Sequence, residues 1–238
     1  ARIRSGRFQM KDKRGTFYAV SVGPGDPELL TLRAVRILER CPVIAAPQTK
    51  SGKTLALDIA KGAVDVSGKT ILPVQFTMSH EARVREESYQ KIAAAIEATL
   101  SQGLDTAMVN LGDVAVFATA YYILERIRED GFETQMIPGV TSFSAVAAAL
   151  GCSLTEMDAP LQIIPASADL DIALRQPGTK VLMKSGSAIH ETIAALERNG
   201  LLSRAAMVAD CGLPTQQIFE DLSQLPETVS YFATIVVH

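Results

Sequence analysis

The sequence predicts an α/β protein of two domains, each built around its own β-sheet. Short runs of β-branched residues alternate with amphipathic runs along the chain, which is the order of strands and helices in α/β folds. The chain has 238 residues, of which 47% are hydrophobic and 21% charged, the balance of an ordinary globular protein. Because a domain usually contains ~100–200 residues, this length allows one large domain or two small ones.

The first half of the chain follows a strand–helix order. The predicted strands are Thr16–Val22, Val43–Ala46, Ile71–Val74 and Leu104–Leu111, and the predicted helices are Thr31–Arg40, Glu86–Leu100 and Val116–Arg128. The helix 86–100 has its apolar residues at helical spacing, and an Asp-Gly pair closes the helix 116–128. The strand 104–111 is almost continuously apolar, as expected where both faces of a sheet are covered. This order implies a parallel sheet with right-handed crossovers.

The second half contains more strands and fewer helices. The predicted strands are Glu133–Ile137, Leu161–Ile164, Lys180–Met183, Ala205–Ala209, Gln216–Glu220 and Phe232–Val237, and the predicted helices are Val140–Leu150 and Ala188–Arg198. A surplus of strands favours a mixed sheet. We therefore expect an N-terminal α/β domain over residues 15–128 and a C-terminal α/β domain over residues 129–238.

Charge and hydropathy argue against two classes of partner. The longest apolar run, residues 114–124, is too short for the ~18 residues of a membrane-spanning helix, so we expect no membrane partner. The formal net charge is −3, and residues 1–14 carry six basic residues against one acidic residue. The remaining chain is therefore clearly acidic, which argues against nucleic acid as a partner. Residues 1–14 are expected to be a disordered or tag-derived arm.

Cysteine and histidine usage predicts no metal site. Cys41, Cys152 and Cys211 are odd in number and far apart, which favours reduced thiols in a cytoplasmic protein over disulfides or zinc. His80 and His190 have no ligand neighbour at helical spacing, so we expect surface or packing histidines.

The first of three glycine-containing loops at strand ends covers residues 22–31, Val-Gly-Pro-Gly-Asp-Pro-Glu-Leu-Leu-Thr. Its glycines allow a tight turn and a close backbone approach to a ligand, and Asp26 and Thr31 are candidate caps. The alternatives are a purely structural turn and a dinucleotide-binding turn. The second alternative is disfavoured because Glu28 replaces the third glycine and no acidic residue ends the second strand.

The second and third loops also join a strand to a helix. Residues 110–119 place Asp113 directly after an apolar strand, and residues 137–143 bring Thr141 and Ser142 to a helix start. In open α/β sheets, ligands bind outside the carboxyl ends of the strands, where these loops lie. Taken singly, each loop fits helix capping equally well.

Taken together and in order, these segments resemble the tetrapyrrole methyltransferases of cobalamin and sirohaem synthesis. The resemblance rests on residues 22–31, the Gly112-Asp113 pair and residues 138–143, and it extends over residues 15–238. Residues 110–114, with Val114 after the Gly-Asp pair, are most similar to the branch that methylates C-20 of precorrin-2 or cobalt-factor II. The resemblance implies a homodimer whose two domains enclose S-adenosylmethionine in a cleft between them.

The resemblance also implies roles for particular residues. Carried over position by position, the cofactor-binding residues are Pro24, Gly112, Asp113, Val116, Thr141, Ser142, Met183, Cys211 and Gly212. Asp113 is the candidate base for the C-20 proton, with cofactor binding and helix capping left open as its other roles. An octacarboxylate substrate requires cations, and the candidates near the mouth are Lys50, Lys53, Arg83, Arg85 and Lys184. Methylation of another ring carbon or of a protein, and a non-catalytic binding module, remain alternatives.

Overall fold

The computed structural model describes residues 14–77, 79 and 81–238. In this part of the chain a five-stranded parallel sheet is formed by β1 to β5 in the spatial order β3-β2-β4-β1-β5. The strands are β1 (Phe17–Ser21), β2 (Val43–Pro47), β3 (Thr70–Val74), β4 (Thr106–Asn110) and β5 (Thr134–Ile137). Strand β1 is therefore an interior strand and pairs in parallel with both β4 and β5. The prediction of a parallel first sheet is confirmed.

Helices cover both faces of this sheet. They are α1 (Leu32–Arg40), α2 (Leu55–Lys61), α3 (Ala82–Ser101) and α4 (Thr119–Glu129). One apolar core lies between the sheet and α1 with α2, and the other lies between the sheet and α3 with α4. Burial on both faces explains why these strands are almost entirely apolar.

The second sheet is mixed, as predicted, with the order β6-β7-β10-β8-β9. Its strands are β6 (Leu161–Pro165), β7 (Thr179–Met183), β8 (Ala205–Ala209), β9 (Gln217–Phe219) and β10 (Ala233–Val237). Strand β6 is parallel to β7, whereas β10 is antiparallel to both β7 and β8. Helix α5 (Ser142–Leu150) packs on one face, and α6 (Leu170–Leu174) and α7 (Ile189–Arg198) pack on the other.

The structure corrects several predicted elements. The helix predicted from Val116 begins at Thr119, because residues 114–118 form a turn held by side-chain hydrogen bonds to backbone amides. The helix predicted from Glu86 begins earlier, at Ala82. The prediction omitted α2 and α6, which have only seven and five residues, too few for a helical period to be recognised.

Strand β5 belongs to the first sheet, where it pairs with β1. The prediction grouped it with the strands of the second half of the chain, which is wrong. The two-domain boundary near residue 128 stays a prediction, and this pairing favours a position after Ile137. The predicted arm, residues 1–14, lies outside the described residues except for Arg14, whose guanidinium carbon lies 4.8 Å from the centre of the Phe132 ring. The histidine prediction for His80 also lies outside the described residues.

Candidate active site

The three glycine-containing loops meet at one edge of the first sheet. They follow β1, β4 and β5, which are parallel neighbours, so their carboxyl ends lie side by side. Gly23 and Gly112 join the first two loops by paired backbone bonds: the Gly112 amide donates to the Gly23 carbonyl at 2.7 Å, and the Gly23 amide donates back at 3.3 Å. Both glycines have positive φ, 74° and 71°, a conformation that residues with a Cβ rarely adopt.

Asp113 holds the second loop to the third. Its Oδ2 accepts a hydrogen bond from the Gly139 amide at 2.7 Å, and its Oδ1 accepts from the Ala115 amide at 2.8 Å. The Ser21 hydroxyl lies 3.4 Å from Oδ2 and accepts from the Val114 amide at 2.9 Å. The carboxylate is buried and engaged through both oxygens, so it organises the loops whatever else it does.

Gly139 and Gly25 are required by close packing. A Cβ on Gly139 would lie 2.5 Å from the Ser21 Cβ, and one on Gly25 would lie 2.6 Å from the Cys211 carbonyl oxygen. The second contact seats the first loop against the segment after β8, which belongs to the second sheet. Gly212 completes this contact, since a Cβ there would lie 2.7 Å from the Asp26 amide.

A cavity lies between these loops and the second sheet. It is lined by eight of the nine predicted cofactor-binding residues, namely Pro24, Gly112, Asp113, Val116, Thr141, Ser142, Met183 and Cys211. Gly212, the ninth, is placed in the loop contact just described. The structure thus brings together residues from both halves of the chain, as a cleft between two domains requires.

The lining of this cavity is chemically divided. Val116, Met183 and Cys211 form an apolar part, and burial raises the pKa of the Cys211 thiol. Thr141 and Ser142 form a polar part at the start of α5. No side-chain hydrogen bond caps this helix among the described residues, because the Thr141 hydroxyl pairs with the Ser144 hydroxyl at 2.8 Å. An uncapped helix start offers amide donors and a positive dipole end to an anion.

A second, larger cavity of about 900 Å³ adjoins the first. It is an open trough above the carboxyl ends of β2, β3 and β4, and its lining includes Lys50, Lys53 and Asn110. The amphipathic lining suits a broad ligand better than a small ion.

The predicted substrate cations lie in different places. Lys50 and Lys53 line the trough, and Lys184 lines the smaller cavity. Arg83 and Arg85 line neither of the two cavities. They lie on the first turn of α3, where Arg83 pairs with Glu87 at 2.6 Å and Arg85 donates to the Ser79 carbonyl.

The prediction omitted several lining and supporting residues. Ser21, Leu111, Phe117 and residues 231–234 all contribute to the site. Neither Phe117 nor Phe232 belongs to a motif used in the prediction. Their only signals were the position of Phe117 next to Val116 and the position of Phe232 in the last predicted strand. Among the residues that the structure describes, no group of three or more His, Cys, Asp or Glu side chains is placed to hold a metal. No helix in the described part of the chain is long and apolar enough to cross a bilayer.

The structure is thus an α/β fold of two sheets with a small cavity between them and a broad trough beside it. The family model for tetrapyrrole (corrin/porphyrin) methylases matches residues 16–226. The chain is therefore a member of the tetrapyrrole (corrin/porphyrin) methylase family.

Individual relatives agree with this membership. The chain is 33% identical to a cobalt-precorrin-2 C(20)-methyltransferase of Salmonella typhimurium, over 94% of this chain and 96% of the relative. It is 31% identical to a probable enzyme of the same name from Methanocaldococcus jannaschii, over 79% and 82%. The crystal structure of cobalt precorrin-4 methyltransferase CbiF has the same fold, with a TM-score of 0.74, 17% identity and coverage of 93% and 94%.

The predicted family, fold class and class of enzyme are thereby confirmed. The protein is a methyltransferase that depends on S-adenosylmethionine, the predicted cofactor. A uroporphyrin-III C-methyl transferase of Thermus thermophilus, solved with S-adenosylhomocysteine, also shares the fold, with a TM-score of 0.68, 20% identity and coverage of 94% and 97%.

Proposed function

We propose that this protein methylates C-20 of a precorrin-2-type tetrapyrrole in cobalamin biosynthesis. The observation that carries the proposal is the adjacency of two cavities: a small cleft lined by the proposed cofactor residues and a wide amphipathic trough whose lining includes Lys50 and Lys53. The choice of C-20 is supported by the name of the Salmonella relative, which matches this chain over almost its whole length.

The residues of the smaller cavity fit the cofactor. Gly112 has open space on its side-chain face, with no heavy atom within 4 Å of an added Cβ, so a ligand can approach its backbone closely. The uncapped start of α5 and the Thr141 hydroxyl suit a carboxylate, whereas Val116 and Met183 suit an aromatic base. When bound, S-adenosylmethionine supplies an electrophilic methyl group, whose bond to sulfur breaks with its electron pair left on sulfur.

The chain itself mainly supplies position. A substrate carbon, the methyl group and sulfur must be in line at near-contact distance. The residues that lie between the two cavities have to enforce this geometry. The meso proton at C-20 must also leave. We keep Asp113 as the candidate base, although its two short bonds to backbone amides support a positioning role more strongly.

The cationic side of the trough would hold the substrate carboxylates. Lys50 and Lys53 lie in its lining, and Lys184 stands at the boundary with the smaller cavity. Arg83 and Arg85 remain candidates for substrate binding, although neither lines the trough. Arg83 is exposed and paired with Glu87, and Arg85 is half-buried and donates to the Ser79 carbonyl, so substrate must compete with these contacts.

Three finer properties belong to the same proposal. We infer that the substrate is cobalt-factor II, that the protein is a homodimer and that it acts in the cytoplasm. The buried thiols of Cys41 and Cys211 suit a reducing compartment. Sedimentation velocity at micromolar concentration tests the dimer, and a monomer there would contradict it.

The decisive experiment is incubation of the protein with S-adenosylmethionine and either precorrin-2 or cobalt-factor II under anaerobic conditions. We expect one methyl group to be added, and NMR with a labelled methyl donor should assign it to C-20. A methyl group on another ring carbon would instead support the first alternative. Tight cofactor binding without any turnover would support a non-catalytic module.

A further inference from the structure

Two cavities in contact must share a wall, and three apolar residues form it here. Leu111, Phe117 and Phe232 line both the smaller cavity and the trough. A methyl group that passes from a cofactor in the first cavity to a substrate in the second must pass beside these side chains, because the reacting atoms have to be in near contact. The side chains that form it are therefore placed to set the geometry of transfer.

Phe117 is the unusual member of the wall. Its backbone φ is 49°, in the left-handed region that a bulky residue rarely adopts, and its side chain is 43% exposed in the cleft. It lies in the turn 114–118 between β4 and α4, the segment that Asp113 holds in place.

Lys184 holds Phe117 from the opposite sheet. Its Nζ donates to the Phe117 carbonyl at 3.3 Å and lies 5.8 Å from the centre of the Phe117 ring. Lys184 follows β7 and is itself left-handed, with φ of 60°. The contact therefore joins the two sheets across the cleft through two residues that are both in a disfavoured conformation.

This arrangement is energetically costly. A left-handed backbone is unfavourable for a residue with a Cβ, and such conformations persist where the surroundings enforce them. The hydroxyl of Ser185, next to Lys184, is buried and has no partner among the described residues. Costs concentrated in one contact at the mouth of a cleft are typical of functional sites.

We propose that Phe117 is a positioning residue for methyl transfer, with its ring as the wall that aligns the two ligands and Lys184 as the group that holds its loop. The inference rests on the proposed function, since it needs a cofactor in the smaller cavity and a macrocycle in the trough. The ring supplies a flat apolar surface against which a macrocycle can stack. It also excludes water from the line of transfer.

The test compares Phe117→Ala with Phe117→Gly. Both substitutions remove the ring, but glycine also relieves the left-handed strain. We expect both variants to bind S-adenosylhomocysteine within about threefold of the wild type, and kcat to fall roughly 10–100-fold because alignment is lost. Met157→Gly is the matched control: Met157 is also left-handed, with φ of 46°, but it is 99% exposed.

The outcomes distinguish an effect of the aromatic ring from an effect of backbone strain at residue 117. Equal loss of kcat in both Phe117 variants, with normal kinetics in Met157→Gly, supports the proposal. Wild-type kcat in either Phe117 variant overturns it, because the ring would then be dispensable. Recovery in the glycine variant alone would assign the effect to backbone strain.

A second measurement does not depend on turnover. Calorimetry gives the affinity for S-adenosylhomocysteine with and without uroporphyrin III, a stable octacarboxylate macrocycle used as a probe. A shared wall predicts that the two ligands affect each other's affinity in the wild type and that the coupling disappears in Phe117→Ala. If S-adenosylhomocysteine and uroporphyrin III bind independently in the wild type, the proposal of a shared wall is wrong. A wild type without activity on either tetrapyrrole substrate overturns the proposed function instead, whatever the coupling.

Discussion

The substitution Asp113→Asn separates the structural role of this carboxylate from a catalytic one. In the wild type, its two oxygens accept from the amides of Ala115 and Gly139 at 2.8 and 2.7 Å. In the variant, one oxygen becomes an NH2 group and must face an amide donor. The buried site therefore loses one charge-assisted hydrogen bond, and the other becomes a neutral one.

The expected loss can be worked out from these two bonds. A hydrogen bond to a charged group contributes about 1.5–3 kcal/mol, and neutralising the other acceptor roughly halves its strength. We therefore expect unfolding to become easier by about 2–4 kcal/mol, which lowers Tm by about 5–15 °C for a chain of this size. Cofactor affinity should fall as well, because the loops that contain Gly112 and Gly139 are held together more weakly.

The assay combines thermal unfolding, calorimetry with S-adenosylhomocysteine and turnover at saturating ligands. Asp26→Asn is the matched control, because Asp26 caps the amide of Glu28 from an exposed loop at 2.8 Å and asparagine caps nearly as well. Its Tm should stay close to that of the wild type.

An unchanged Tm in Asp113→Asn would refute the structural reasoning. If kcat then fell by about 10²–10⁴-fold with normal cofactor affinity, Asp113 would be the base for the C-20 proton. A lower Tm with normal kcat at saturation would leave it as an organiser of the loops alone.

Three further changes test other parts of the structure. Gly112→Ala should weaken cofactor binding in calorimetry. Gly131→Ala is its control, because Gly131 has a similar φ, 81° against 71° for Gly112, and similar open space around an added Cβ, so this variant should lower only Tm. Burial, and after it the neighbouring Asp130 carboxyl group, raises the pKa of Glu97. The protonated form of Glu97 therefore stabilises the folded state, and this stabilisation is lost as the pH rises through the raised pKa. Glu97→Gln should therefore raise Tm at pH 7 to 8 and leave it unchanged below pH ~4, and the same increase at both pH values would contradict the assignment. Burial raises the pKa of the Cys41 thiol to about 12, so Ellman's reagent at pH 8 should modify the more exposed Cys152 well before Cys41, as mapped by mass spectrometry.

The family resemblance, and not local pattern alone, predicted residues that line the smaller cavity. Gly112, Thr141 and Met183 were carried over from motifs of the family, and all three line the cavity. The meeting of the three glycine-containing loops could be predicted from the residues themselves, because parallel neighbours bring their carboxyl ends to one edge, whatever their order in the sheet. The position of these loops therefore depends little on non-local information.

Strand partners depend on the whole chain and were less predictable. Strand β5 has the composition of a strand, but nothing local shows that it pairs with β1 and not with the second sheet. For the same reason Ser21 had no signal: its hydroxyl reaches Val114 only because β1 lies between β4 and β5. A serine at the end of an apolar strand is otherwise unremarkable.

Helix boundaries failed where side chains compete with the helical backbone. The run from Val114 to Leu124 is apolar enough for a helix, yet Ser21 and Asp113 take the amides of Val114 and Ala115. These bonds hold the first five residues of the run, 114–118, out of the helix. The loop between β4 and α4 is therefore longer than predicted, in part because Ser21 of β1 contacts it.

The same competition explains why the left-handed conformation of Phe117 could not be predicted from sequence. A left-handed position normally has glycine or asparagine, so a phenylalanine there predicts helix or strand. Phe117 adopts it because Asp113 fixes the turn on one side and Lys184 holds the carbonyl on the other. Local preference and tertiary structure disagree most at the wall between the two cavities, and such disagreement is expected where a site has been shaped for function at the expense of stability.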